Sequence, residues 1–125
     1  MLSEAEALEW LKSFEISVKN LDFTQAQALY DSQATLFGTL VIMSQSIEDY
    51  KKNQWAVMWN MSKNFRFSEI LRIDVLDSVA IISTMWENTT LVNEEWIERS
   101  GRASLCLIKA NEQVKAIHSH FSLSP

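Results

Sequence analysis

Four long stretches in the second half of the chain alternate with a period of two: Phe65 to Leu76, Val79 to Thr90, Glu94 to Ala110 and Gln113 to Leu123. Rich in β-branched and aromatic residues, they read as strands, and Asp77-Ser78, Val92-Asn93 and Asn111-Glu112 read as the turns between them. Strands joined by such short turns must run antiparallel. A meander of this kind has one face to bury. The residues ahead of it are helical in pattern, so the expected fold class is α+β, with helices gathered on one face of an antiparallel sheet. Strands this long twist and coil, and a sheet curled around a helix layer leaves a concave space that the helices only partly fill.

Three helix starts carry their own signals. Ser3 and Glu6 have the spacing of a capping box, followed to about Asn20 by the stripe Ala7, Leu11, Phe14, Val18 and Leu21, with Trp10 at its border. Asp22 and Gln25 repeat the capping spacing ahead of a short helix through Phe23, Ala26, Leu29 and Tyr30. Ala34 to Met43, broken at Gly38-Thr39, reads as short strands with a turn. Ser46 caps a third helix whose first turn holds Glu48 and Asp49, where the helix dipole favours negative charge. Its stripe is Ile47, Tyr50, Gln54, Met58 and Met61, and Trp55 and Trp59 project from the neighbouring face. A helix apolar over so much of its circumference is covered on two sides.

Composition narrows the function classes. A chain of 125 residues, 47% hydrophobic, is a one-domain length with material for a single core, so residues 1–125 are expected to form one domain. The formal charge of -5, with no basic cluster beyond Lys51-Lys52, would repel a nucleic-acid backbone. No apolar run approaches the roughly 20 residues that cross a bilayer, and the N-terminal stretch is acidic rather than signal-like. A single cysteine, Cys106, forms no internal disulfide and fits a reducing compartment, so a cytoplasmic location is expected. Two glycines, Gly38 and Gly101, supply no phosphate-cradling loop, and no cofactor motif is present.

The stretch QVKAIHSHFSLSP, Gln113 to Pro125, combines strand alternation with the chain's two histidines. His118 and His120 share one strand face, and Ile117, Ser119 and Phe121 the other. Counting outward from a two-residue loop at Asn111-Glu112 pairs Leu105 with His118 and Ala103 with His120. That register puts His118 in an apolar pocket as a ligand contact or proton carrier, with His120 beside it. Arg102 falls on the opposite face, toward a second subunit, unless a β-bulge reverses the count and turns it to a ligand carboxylate. With no third histidine, a metal site is not expected. Trp55, Trp59, Trp86, Phe14 and Tyr30 are candidates for an apolar pocket wall. Such a wall suits a small, flat or ring-containing molecule with one anionic or carbonyl end.

The same ending, with SGRASLCLIKANE before it, resembles the C-terminal strands of SnoaL-like domains in the nuclear transport factor 2-like superfamily. Shared features are a Gly-Arg-x-Thr-like strand, a two-residue turn, a His-x-His-x-Ser run and a terminal proline, and Asn20-Leu21-Asp22 ahead of a short helix fits as well. Val114 stands where tryptophan is usual, Ser104 where threonine is, and Asn111-Glu112 replaces Asp-Gly. The resemblance implies a cystatin-like cone: three N-terminal helices packed on a strongly curved antiparallel sheet, dimeric, with a pocket at its open end. Relatives include ketosteroid isomerase, polyketide cyclases and the association domain of calcium/calmodulin-dependent protein kinase II. The last shares the Val-His-x-His-x-Ser-like ending, and Leu105 stands where it carries a pocket arginine. Three functions therefore stand open: binding of a small organic molecule, non-catalytic association, and an isomerase, dehydratase or cyclase activity. The last would pair catalytic His118 with a carboxylate such as Asp31, Glu69 or Glu87. A homodimer is expected through the outer face of the sheet.

Overall fold

The structure, a computed structural model, describes every residue from Met1 to Pro125. Helices α1 (Glu4–Lys19) and α2 (Phe23–Ala28) lead into strand β1 (Tyr30–Phe37). A third helical segment follows as α3 (Ile47–Tyr50), one π-turn (Lys51–Trp55) and α4 (Ala56–Asn60). Strands β2 (Ser62–Leu76), β3 (Val79–Val92), β4 (Glu95–Ala110) and β5 (Gln113–Leu123) complete a sheet of order β1-β5-β4-β3-β2. This is the expected α+β architecture of helices on a curved sheet. All neighbours are antiparallel except β1, which runs parallel to β5. No helix is long and apolar enough to cross a membrane.

The helix starts form as their caps dictate. Ser3 Oγ accepts from the Glu6 backbone while Glu6 Oε1 accepts from the Ser3 backbone, and Asp22 and Ser46 cap α2 and α3 singly. The helical spacing through Leu29 and Tyr30 does not continue. The Leu29 carbonyl is taken instead by Trp10 Nε1 at 2.8 Å and the Ala116 amide at 2.9 Å, so Tyr30 opens β1. Beyond Phe37 the expected second strand is absent: Gly38 to Met43 form a loop, closed by a single bridge between Leu36 and Ser44.

Bulges curve the sheet and decide which way its side chains point. β2 slips one residue against β3 at three places, between Lys63 and Arg66, Arg66 and Glu69, and Ile70 and Arg72, each of which bends the strand. β5 carries one more. Leu107 pairs with Ala116, but Cys106 pairs with His118, leaving Ile117 as the extra residue. The expected pairing of His118 with Leu105 and His120 with Ala103 is thus corrected: His120 opposes Ser104, and Leu105 opposes Ser119. Ala103, Leu105 and Leu107 are buried against the helices. His118, His120 and Arg102 therefore share the outer face, and Arg102 is not opposite the histidines.

Two hairpins turn through residues that strain them. Asn93 and Glu94 have φ of 49° and 67°, and Asn111 and Glu112 have 52° and 62°, the paired positive angles of a type I′ turn. The first turn thus lies one residue later than the Val92-Asn93 reading. Asparagine tolerates this region, whereas at the second position the Cβ of glutamate crowds the following carbonyl oxygen. Glu94→Gly should raise stability by about 0.5–1 kcal/mol after the added freedom of glycine in the unfolded chain is subtracted. Urea unfolding checks this, and an unchanged or lower midpoint would show the turn to be relaxed.

Candidate functional site

Aromatic residues from every layer converge between the helices and the sheet. Phe14 of α1 stacks on Trp10, with centroids 5.5 Å apart, and on Phe121 at 5.8 Å. Trp55 and Trp59 stack on each other at 4.9 Å. The π-turn explains their placement. One extra residue per turn brings Gln54 and Trp55 to the interior together with Tyr50 and Trp59, which a regular helix would spread over more of its circumference.

A cavity of about 380 Å³ lies within this cluster, in the size range of small-molecule sites. Its wall consists of Phe14 and Val18 from α1, Tyr50, Trp55, Met58 and Trp59 from the third helical segment, and Phe65, Trp86 and Phe121 from the sheet. Trp86 reaches its place because glycine stands opposite it. A Cβ on Gly101 would lie 2.4 Å from two ring carbons of Trp86 and 2.1 Å from the Ser122 carbonyl oxygen. With that space open, Trp86 Nε1 donates to the Arg102 carbonyl at 3.2 Å.

Polar groups are few and concentrated. Gln54 Oε1 accepts from the Leu40 and Val41 amides at 2.8 and 3.1 Å, and its Nε2 donates to Thr39 Oγ1 at 2.9 Å, so this side chain pins the 38–41 loop to the cavity's edge. Gly38 is needed there, since its Cβ would meet Gln54 Oε1 and the Tyr50 hydroxyl at 2.5 Å. The exposed residues Lys19, Leu21, Asn60, Lys63 and Asn64 form the mouth. Lys63 holds its ammonium 4.1 Å from the centre of the Trp96 ring, outside the cavity wall. Lys19 is the mouth's second cation, with no ion-pair partner of its own. Beside them, half-buried Asn88 accepts from Thr90 Oγ1 at 3.2 Å through its oxygen, which leaves its amide N–H groups to donate elsewhere.

Four of the sequence candidates, Phe14, Trp55, Trp59 and Trp86, meet at this cavity. Tyr30 lies behind it, its ring against Trp10 and Trp55 and its hydroxyl donating to Ser119 Oγ at 3.0 Å. Burial pushes the Tyr30 phenol well above the ordinary tyrosine range, against a smaller opposing effect of the Ser119 bond. The Tyr50 hydroxyl donates to the Phe37 carbonyl at 3.1 Å and is raised by burial in the same way. His118 and His120 lie on the outer face against Phe37, at ring separations of 5.8 and 4.9 Å, with Arg102 on the same face. None of the three lines the cavity. Nor do the carboxylates: Asp31 accepts from the Gln33 amide, Glu69 is exposed on β2, and Glu87 pairs with Arg66. Cys106, opposite His118, is raised by burial.

Gln54, Asn64, Asn88, Phe65 and Phe121 carry the site without having been singled out as candidates. Two signals were available. Gln54 interrupts an otherwise apolar helix stripe, and Asn88 stands two residues beyond Trp86, hence on the same strand face.

The fold has close structural counterparts. A nuclear transport factor 2-like superfamily protein from Salmonella enterica serovar Typhimurium LT2 superposes with a TM-score of 0.83 at 17% identity, over 97% of this chain and 90% of that one. A candidate ketosteroid isomerase from Shewanella frigidimarina NCIMB 400 gives 0.76 at 15% identity, over 96% and 95%. The association domain of calcium/calmodulin-dependent protein kinase II from C. elegans gives 0.73 at 15% identity, over 95% and 94%. No protein-family model and no curated protein matches the sequence. At these identities the likeness establishes the nuclear transport factor 2-like fold and leaves function to the site.

Proposed function

From that fold, we propose that the chain is a homodimeric binding domain whose cavity takes a small, ring-containing organic molecule. The observation that carries this reading is the cavity itself, walled by Phe14, Trp55, Trp59, Phe65, Trp86 and Phe121 and edged by amides and Lys19. Flat rings gain from stacking against such walls beyond the area they bury, and a carbonyl or anionic end at the mouth meets the Asn64 and Asn88 amides and the Lys19 ammonium. An acid-base reaction needs two titratable groups facing one cavity. The lining offers two lysines at the mouth and a Tyr50 phenol already committed to the Phe37 carbonyl, which favours binding over an isomerase or cyclase reading.

The anionic dye 1-anilinonaphthalene-8-sulfonate tests the cavity directly. Binding should quench the lining tryptophans, and Trp59→Ala should weaken it roughly 10- to 100-fold, as the loss of a buried aromatic contact implies. His118→Ala should leave affinity and its pH dependence unchanged. Equal affinity in wild type and Trp59→Ala would remove the reading.

The outer sheet face supports the dimer. Ile81, Met85, Cys106, Ile108 and Phe37 surround the two histidines there, and Arg102 adds one charge, a composition suited to a two-fold contact. Light scattering should give twice the 14.4 kDa chain mass. A monomer mass across micromolar concentrations would remove the dimer while leaving the cavity reading intact. The single cysteine suits the reducing cytoplasm.

A further inference from the structure

A box of tryptophan and phenylalanine rings suits two opposite kinds of ligand. Its faces stack on a flat molecule, and their negative π surfaces equally attract a cation such as a quaternary ammonium. The charges around the cavity decide between them. The chain carries 16 acidic residues against 11 lysines and arginines, yet none of those acids is among the 18 residues that line the cavity, whereas Lys19 and Lys63 are. A cation taken out of water is ordinarily paired with a carboxylate, and this lining supplies none. Neither lysine forms an ion pair within the chain.

The backbone works the other way. α1 ends at Lys19 and α4 at Asn60, so two helix C-termini reach the mouth, each equivalent to about half a negative charge. Both ends are partly capped. The Ile16, Ser17 and Val18 carbonyls accept from the Asn20, Asp22 and Leu21 amides, and Asn60 Nδ2 donates to the Ala56 carbonyl at 2.6 Å. Even uncapped, the two ends would offset only about one of the two lysine charges, so the mouth stays positive by about one charge in a chain whose net charge is -5. Trp96 holds Lys63 in place as a fixed charge at the rim, Lys19 is exposed at the end of α1, and the Asn88 amide offers N–H donors but no negative group. We infer, on the reading that the cavity holds a ring, that its ligand is an aromatic anion of the carboxylate class, its ring system between Trp55, Trp59 and Trp86 and its charge at the mouth beside Lys19 and Lys63. The same two lysines make the site reject a cation of equal shape.

Three compounds of one shape test the sign: 2-naphthoate, 2-naphthamide and 2-naphthamidine, an anion, a neutral molecule and a cation at pH 7.5. In isothermal titration at low salt, naphthoate should bind roughly five- to tenfold more tightly than the amide, as a charge-assisted bond in partial contact with water supplies, and the amidine more weakly than either. The doubly substituted chain Lys19→Gln, Lys63→Gln should narrow the naphthoate-to-amide ratio to about twofold or less, and salt raised to 0.5 M should narrow it in the wild type. Equal binding of naphthoate and amide, or tightest binding of the amidine, overturns the inference and leaves the cavity reading standing. A naphthoate advantage that persists in the double variant also overturns it, since the charge is then held elsewhere. If none of the three binds, the inference and the cavity reading fall together.

Discussion

Replacing Phe14 by alanine should cost about 3–5 kcal/mol, the range for removing a buried phenylalanine from a packed core. Phe14 is 3% exposed, and its ring centroid lies within 6.4 Å of seven others: Trp10, Tyr30, Trp55, Trp59, Phe65, Phe67 and Phe121. Truncation withdraws contacts from all of them, and the neighbours belong to different elements that cannot collapse together. Against a typical total of about 5–15 kcal/mol, the variant should be marginal. Phe14→Leu keeps most of the volume and should cost about 1–2 kcal/mol. Urea unfolding should show a lower midpoint with an unchanged slope. A loss below about 1 kcal/mol for Phe14→Ala would mean that the cluster repacks and that Phe14 is not its centre.

Alkali should unfold the protein steeply above pH 10. Tyr30 and Tyr50 are buried, and both phenols are raised by desolvation, so the folded chain keeps two protons that the unfolded chain releases near pH ~10. Because the unfolded state then binds fewer protons, stability falls as pH rises, by up to about 1.4 kcal/mol per pH unit for each tyrosine. Below pH ~10 the contribution is fully present. Between pH ~10 and ~12 the pair together removes about 5 kcal/mol, comparable with the whole stability of a small domain. Tyr30→Phe should halve the slope in that interval while costing about 1 kcal/mol at neutral pH through the lost bond to Ser119. The half-buried Lys109–Glu6 pair also weakens as Lys109 discharges, and the Tyr→Phe comparison isolates the phenols from it. Stability that stayed flat to pH 12 would contradict the burial of both hydroxyls.

Local signals made most of the fold legible. Ser3 with Glu6, Asp22 and Ser46 are caps that work through bonds within three residues, and the strand periodicity followed from one face being buried. What the sequence hid depends on partners far along the chain. The spacing through Tyr30 suits a helix until Trp10 and Ala116 claim the Leu29 carbonyl. The extra residue at Ile117 leaves no mark, because Ala116, Ile117, Ser119 and Phe121 suit either face of a strand. That single bulge moved His118 and His120 from the expected pocket to the outer surface, and it set Arg102 beside them. The aromatic wall was legible from composition and helix spacing, since large rings on a crowded helix must meet somewhere. The polar edge was not, because Gln54 depends on the π-turn and Asn64 on a bulge in β2.

Two-dimensional NMR of the tryptophan indole N–H groups tests ligand binding at the cavity most directly. Four of the five tryptophans are placed as reporters: Trp55, Trp59 and Trp86 line the cavity, whereas Trp96 stands outside it under Lys63. Titration with 1-anilinonaphthalene-8-sulfonate should move the Trp55, Trp59 and Trp86 signals together along one binding curve, leaving Trp96 and the His118 and His120 backbone amides in place. Shifts confined to the outer face around His118, His120 and Arg102, with the three cavity indoles unmoved, would contradict it.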